Sequence, residues 1–190
     1  MTITTDSVVI GGGVMGTSIL YNLANRGITK SILLERDILG SGSTGRSSGV
    51  VRTHYSTEIC STLSLLSYPF FKNWNEMIGG GEVSFVKTGF VVIGNEKSLK
   101  GMEHNISIQK SLGIDASLLS MEEALELVPS FILDEHESVA WEPEAGHADP
   151  SGAALAYSVR ARELGAKVVL ESPVTDITVK KGRVVSVSTA

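Results

Sequence analysis

The sequence predicts an α/β fold interrupted by a mixed α+β insertion. Three observations carry that expectation. A short apolar strand ends in a glycine turn and a helix, a second strand follows closely, and helix–strand alternation returns after residue 149. Residues 7–10, Ser-Val-Val-Ile, are mostly apolar and β-branched and stop at glycine, as a short buried strand does. Gly11-Gly12-Gly13-Val14-Met15-Gly16 then opens a helix with apolar positions Val14, Ile19, Leu20, Leu23 and Ala24, ended by Gly27. Residues 31–34 form the second strand, with Glu35 at its tip.

The glycine spacing has a physical reading. Gly11, Gly13 and Gly16 satisfy G-x-G-x-x-G. The first lets the chain turn sharply, the second admits a pyrophosphate to the backbone, and the third lets the helix pack tightly on the strand. The helix start offers free N–H groups and a partial positive charge. Glu35 lies nineteen residues past Gly16, where its carboxylate can accept ribose hydroxyls and would repel a 2′-phosphate. This context favours a dinucleotide site over a glycine-rich turn in some other α/β protein.

Composition excludes several classes. Of 190 residues, 42% are hydrophobic and 19% charged, so a packed core is available and global disorder is excluded. No apolar run approaches the roughly 18 residues of a membrane span. The first apolar run meets three glycines and does not read as a signal peptide. With 16 Lys and Arg against 21 Asp and Glu, the net charge of −5 argues against a nucleic-acid partner. The one cysteine, Cys60, has no internal disulfide partner, so a reducing cytoplasm is the expected compartment.

Residues 40–52, Gly-Ser-Gly-Ser-Thr-Gly-Arg-Ser-Ser-Gly-Val-Val-Arg, are too polar and glycine-rich for a strand or helix core. Their hydroxyls and N–H groups suit a second contact with a pyrophosphate or a flavin edge. A Gly/Ser surface linker is the alternative. Together with Gly11–Gly16 and Leu34-Glu35-Arg36, this loop resembles the amine- and amino-acid-oxidising flavoproteins, the family of D-amino-acid oxidase, glycine oxidase and sarcosine oxidase. The sarcosine oxidase β-subunit-like branch is the nearest in pattern. The resemblance continues through Lys87-Thr88-Gly89-Phe90, Trp141-Glu142-Pro143-Glu144-Ala145-Gly146, Asp149-Pro150 and Val174.

The resemblance implies a Rossmann-like FAD-binding domain and FAD as cofactor. Gly11, Gly13 and Gly16, with Val14 and Met15 between them, would hold the pyrophosphate. Glu35 would hold the adenosine ribose, and Arg36 would lie beside the adenine. Ser43, Thr44, Ser47, Ser48, Gly49 and Val50 would run along the pyrophosphate and ribityl chain to the isoalloxazine. Val174 would touch the adenine through its backbone. Arg52 matches an arginine that binds the substrate carboxylate, a role suited to a guanidinium fork. A surface arginine, or one paired with an internal acid, is the alternative. Some relatives attach FAD to a histidine in this loop; Arg46 stands there, so covalent attachment is not expected.

Between the two α/β stretches, residues 56–74 show apolar positions Ile59, Leu63, Leu66, Phe70 and Trp74 at helical spacing, which predicts one buried face. Pro69 should kink or divide this helix, and Cys60 is expected as a core thiol. Residues 82–93 read as strand, turn and strand around Thr88-Gly89, and 97–112 as a helix. Ser120-Met121-Glu122-Glu123 is a capping box, so Glu122, Glu123 and Glu126 read as a solvated face. Asp149 and Pro150 then start a helix that Gly165 stops. A strand over 167–170 and a hairpin over 174–187 follow. His147 and Asp149 lack further partners for a metal site.

The expected organisation is a first FAD-domain segment at 1–54, a partial substrate domain at 55–145 and a resumed FAD domain at 146–190. The expected activity is FAD-dependent oxidation of a small amine or amino acid, resembling sarcosine, glycine or proline. The alternatives are a non-catalytic FAD-binding subunit or fragment, which would need a second subunit or a missing C-terminal half, and an NAD-dependent dehydrogenase.

Overall fold

The computed structural model describes residues 2–190. In chain order the elements are β1 (Ser7–Ile10), α1 (Val14–Asn25), β2 (Ser31–Leu34), β3 (Val50–Val51), α2 (Glu58–Lys72), α3 (Trp74–Met77), β4 (Val86–Lys87) and β5 (Phe90–Asn95). They continue as α4 (Leu99–Ser111), β6 (Ser117–Leu119), α5 (Met121–Leu127), β7 (Glu137–Glu142), β8 (Gly146–His147), α6 (Pro150–Glu163), β9 (Lys167–Val169), β10 (Val174–Lys180) and β11 (Arg183–Thr189). Two compact units share them. The first takes residues up to Gly49, Trp74–Ser84 and Asp149–Ala190; the second takes Val50–Asn73 and Phe85–Ala148.

In the first unit β2 lies between β1 and β9, and both pairings are parallel. A central parallel strand is covered on both faces, so all four β2 residues are buried. Helix α1 buries Thr17, Leu20, Tyr21 and Ala24, the i, i+3, i+4, i+7 stripe of one face. Helix α6 meets α1 with a run of small residues, Ala153, Ala154, Ala156 and Ala161, which let the two backbones approach. Tyr157 fills the space beside them, 5.5 Å from the Tyr21 ring and edge-on to Trp74 at 4.9 Å. Asp149 caps α6 as expected, its side chain accepting from Ser151 N at 2.9 Å. The β10–β11 hairpin turns through Lys181 and Gly182, both at positive φ, as a type I′ turn requires.

In the second unit β7 is the middle strand of an antiparallel sheet, between β5 and β6. Met102 and Ile106 of α4 pack with Ile114, Ala116 and Ala140, and Leu65 of α2 joins them. Gln109 sits in the same helix fully buried, with neither its amide N nor its O hydrogen-bonded. A second small sheet sets β8 between β3 and β4. The capping box of α5 forms in both directions: Glu123 N donates to Ser120 Oγ at 3.2 Å, and Ser120 N donates to Glu123 Oε2 at 2.7 Å.

Several expectations are corrected. The Ile59, Leu63 and Leu66 stripe of α2 is exposed, at 73%, 60% and 65%. The helix instead turns Ser61, Leu65 and Tyr68 inward, another i, i+4, i+7 face of the same cylinder. Periodicity shows that a helix has an apolar stripe but not which stripe is covered. Cys60 is exposed rather than a core thiol, because it neighbours that outer stripe. Pro69 does not divide α2: the helix runs through it, and Asn73 N still donates to the Pro69 carbonyl at 2.9 Å. Strands β4 and β5 are not paired with each other; β4 pairs with β8 and β5 with β7. The unit boundaries also differ from 55–145. The second unit begins at Val50, and Trp74–Ser84 packs with the first, where Arg160 Nε donates to the Ile78 carbonyl at 2.9 Å.

Candidate functional site

The first unit carries a cradle built mainly of backbone. Gly11 leaves β1 at φ +105°, a conformation closed to most side chains, and its N–H donates to the Leu34 carbonyl at 2.8 Å. A Cβ on Gly16 would collide with the Gly11 carbonyl oxygen, so α1 can sit this close to the strand only with glycine there. The polar loop is tied onto this turn. Gly40 N donates to the Gly12 carbonyl at 3.0 Å, and Val14 N donates to Thr44 Oγ1 at 3.0 Å. Ser43 leads into a 3-10 turn at Thr44–Arg46, and Ser47 Oγ accepts from Gly49 N at 3.0 Å. Ser48 lies exposed beside them. A flexible linker would not show this set of contacts.

Among the described residues the N–H groups of Met15 and Gly16 pair with nothing, and the first turn of α1 has no acidic side chain. The positive end of the helix is therefore open to an anion. Glu35 is 8% exposed. Its Oε2 accepts from Gly12 N at 2.5 Å and its Oε1 from Asp37 N at 2.9 Å. The carboxylate thus braces the glycine turn, a role its spacing alone did not reveal, and each oxygen keeps a lone pair for a further donor. Arg36 is exposed, and Val174 is half-buried at the start of β10.

The second unit carries a cluster built of side chains. Val50 opens β3, and Arg52 follows it. The Arg52 guanidinium lies over two rings, 5.0 Å from the Tyr55 centroid and 4.8 Å from the Phe90 centroid. Among the described residues it makes no ion pair. Glu142 is 2% exposed. Its Oε1 accepts from Thr53 N at 2.8 Å and Thr53 Oγ1 at 2.5 Å, and its Oε2 accepts from His54 N at 2.9 Å. Burial lowers the pKa of His54; Glu142 opposes the shift and Arg52 reinforces it. His54 is therefore neutral at pH 7.

Nearby in the same unit, Glu144 accepts from Lys87 Nζ at 2.7 Å and Lys72 Nζ at 2.9 Å, which pull its pKa down to about 2. The Tyr68 hydroxyl donates to the Glu144 carbonyl at 2.8 Å; burial first and Glu144 second push its pKa up to about 12. Tyr55, Phe90 and Glu142 escaped the sequence reading as members of one cluster. The signal lay only in the Thr-Gly-Phe and Trp-Glu-Pro segments, far apart in sequence. No group of three or more metal-ligating side chains exists among the described residues, and no helix there is long and apolar enough to cross a membrane. A groove of about 1000 Å³ lies in the first unit between β1–β2 and the β10–β11 hairpin, lined by Ile10, Leu34, Ile177 and Val185 among others.

The family model described as FAD dependent oxidoreductase matches residues 6–190. The chain belongs to this family. It is 29% identical to human mitochondrial sarcosine dehydrogenase over 177 residues, covering 93% of this chain and 19% of that protein. It is 27% identical to the mouse mitochondrial pyruvate dehydrogenase phosphatase regulatory subunit, covering 96% of this chain and 21% of that protein. Among solved structures, the L-proline dehydrogenase of P. horikoshii superposes with a TM-score of 0.89 at 32% identity, over 100% of this chain and 50% of that one. The chain therefore spans about half the length of that enzyme and about one fifth of the two curated relatives.

FAD is the cofactor of the family, and the first unit fits it. Two unpaired N–H donors at a helix start, a turn that excludes a Cβ at Gly16, and a Glu35 carboxylate with spare lone pairs match a pyrophosphate joined to a ribose.

Proposed function

We propose that the chain is the FAD-holding and substrate-recognising part of an oxidoreductase acting on a small amine or amino acid that carries a carboxylate. The observation that carries the proposal is Arg52, a guanidinium lying over the Tyr55 and Phe90 rings and in no ion pair among the described residues. The two rings hold the cation by cation–π contact, which engages no N–H in a salt bridge and leaves the fork's donors for a ligand carboxylate. Sarcosine and L-proline, named by two of these relatives, both present such a group.

Within this reading Gly11, Gly13, Val14, Met15, Gly16 and the Ser43, Thr44, Ser47, Ser48, Gly49 and Val50 segment take the pyrophosphate and ribityl chain. Glu35 takes the ribose, and Arg36 and Val174 the adenine edge. Bound FAD supplies the acceptor for a hydride from the carbon next to nitrogen. Arg52 anchors the carboxylate and so orients the C–H bond, and the neutral His54 adds no positive charge beside the amine. Residence in the cytoplasm is part of the proposal, supported by the lone thiol; relatives named as mitochondrial show that the family also occupies another compartment.

A second reading is a cofactor-holding subunit that needs a partner or the rest of a longer fold for turnover. It is favoured by the 50% and 19% coverage of the relatives' lengths. The relative named as a regulatory subunit points the same way. Absorbance separates the readings. A yellow sample with flavin bands supports FAD, and its absence with NAD bound overturns the flavin assignment. Anaerobic bleaching of that flavin by sarcosine, glycine, proline or a D-amino acid supports catalysis by this chain. Flavin that none of them bleaches selects the partner-dependent reading. Arg52→Ala is expected to raise KM for the carboxylate substrate while FAD stays bound; an unchanged KM sinks the Arg52 role.

A further inference from the structure

We infer that Glu142 is the positioning residue of the Arg52 carboxylate clamp; the inference rests on the proposed Arg52 role and goes beyond it. Glu142 is almost fully buried, and no cation lies within ion-pair distance of it among the described residues. Its charge is balanced instead by three donors on two consecutive residues, Thr53 N, Thr53 Oγ1 and His54 N. An anion accepting from adjacent backbone N–H groups fixes the local chain direction, since neither peptide plane can rotate without losing a charge-assisted bond.

What makes this more than a buried acid is where its partners stand. Thr53 and His54 are the residues between Arg52 and Tyr55. The cation and one of its rings are therefore held from both sides of the clamped pair. The other ring belongs to Phe90, which stands directly opposite Glu142 in the β5–β7 ladder. One carboxylate thus registers all three members of the stack. Two are held through its hydrogen bonds, and the third through the strand pairing of its own backbone. No other side-chain hydrogen bond among the described residues ties the 52–55 segment to β7, the strand paired with β5 at Phe90.

Glu142→Gln tests this directly. It keeps the shape, but its NH₂ must face one of the N–H donors, so at least one bond is lost and a donor–donor clash appears. The full chain is studied as wild type, Glu142→Gln, Thr53→Val and Arg52→Ala. Calorimetry measures the affinity for benzoate, a carboxylate probe, and for benzamide, its uncharged isostere. The Arg52 Nε–Hε NMR signal, which the two rings shift, provides a readout that needs no ligand. Glu142→Gln and Arg52→Ala are each expected to weaken benzoate binding about tenfold with benzamide unchanged. Glu142→Gln should also move the Arg52 signal toward that of a free arginine. Thr53→Val removes one of the three bonds and should shift both readouts in the same direction by less.

A folded Glu142→Gln protein with an unmoved Arg52 signal and unchanged benzoate affinity overturns the positioning role while leaving Arg52 as the clamp. Equal loss of benzoate and benzamide overturns it too, by showing a merely structural effect. Benzoate binding that is absent or independent of Arg52 sinks the underlying Arg52 reading; the NMR signal then still decides whether Glu142 places the guanidinium. If Glu142→Gln does not fold, Thr53→Val decides, and unmoved readouts there overturn the inference.

Discussion

The first unit presents a cradle of backbone groups and the second a cluster of side chains. Residues 11–16 and 40–49 present N–H groups and an open helix start, braced by one buried carboxylate, Glu35. Around Arg52 the chemistry is a cation over two rings, with another buried carboxylate, Glu142, accepting from the next two residues. Both acids do the same physical work, accepting from backbone N–H groups in a place poor in water. They differ in reach. Glu35 braces a turn made by residues within about two dozen positions, whereas Glu142 holds residues 88 and 89 positions away. A backbone site can be written locally in glycines; a side-chain site must be assembled by the fold.

The sharpest way to break the comparison is Gly16→Ala. The new methyl meets the Gly11 carbonyl, so the cost should be about 1–3 kcal/mol or more together with loss of FAD binding. Thermal melting and flavin titration check it, and an unchanged melt refutes the close approach. Glu35→Ala should follow, costing about 1–3 kcal/mol as one buried and one part-buried N–H group lose their acceptor, with weaker FAD retention. Unchanged flavin content would refute the ribose role.

Gln109→Met should act in the opposite direction and only on the second unit. It removes a buried amide with no partners and should stabilise by about 1 kcal/mol, read in urea melts. A loss of stability would mean that the amide is satisfied in solution.

The smallest effect concerns pH. The pKa of Glu144 lies at about 2, below its ordinary 4.5, because Lys87 and Lys72 favour the charged form. A lowered acid stabilises the fold above the unfolded value, so this contribution is whole above pH 4.5 and fades as pH falls toward 2. The carboxylate is 38% exposed, so solvent and salt screen the gain. Lys87→Ala should raise the Glu144 value in an NMR titration; an unmoved value would remove Lys87 as its main cause.

Much of the first unit was legible in the sequence. The Gly11–Gly16 spacing, the four-residue β2, the Asp149–Pro150 helix start and the Lys181-Gly182 turn each demand a residue type for a local backbone reason. The second unit was harder. The α2 stripe of Ile59, Leu63 and Leu66 had the right period but the wrong side, since the neighbouring Ser61, Leu65 and Tyr68 face is the one packed inward. Strands β4 and β5 looked like a hairpin around Thr88-Gly89, yet β4 pairs with a strand about sixty residues further on and β5 with one about fifty further on. Local pattern specifies what an element is, whereas pairing depends on which distant surface buries it.

The sequence by itself determined the glycine turn and the helix starts, because sharp turns, close helix–strand approach and helix caps are constraints on single residues and their neighbours. It also marked Arg52 as a residue of interest through resemblance. Only the tertiary structure decided what surrounds that arginine. Tyr55, Phe90 and Glu142 come together through strand pairing and burial, and no spacing rule along the chain encodes a contact whose partners are chosen by folding.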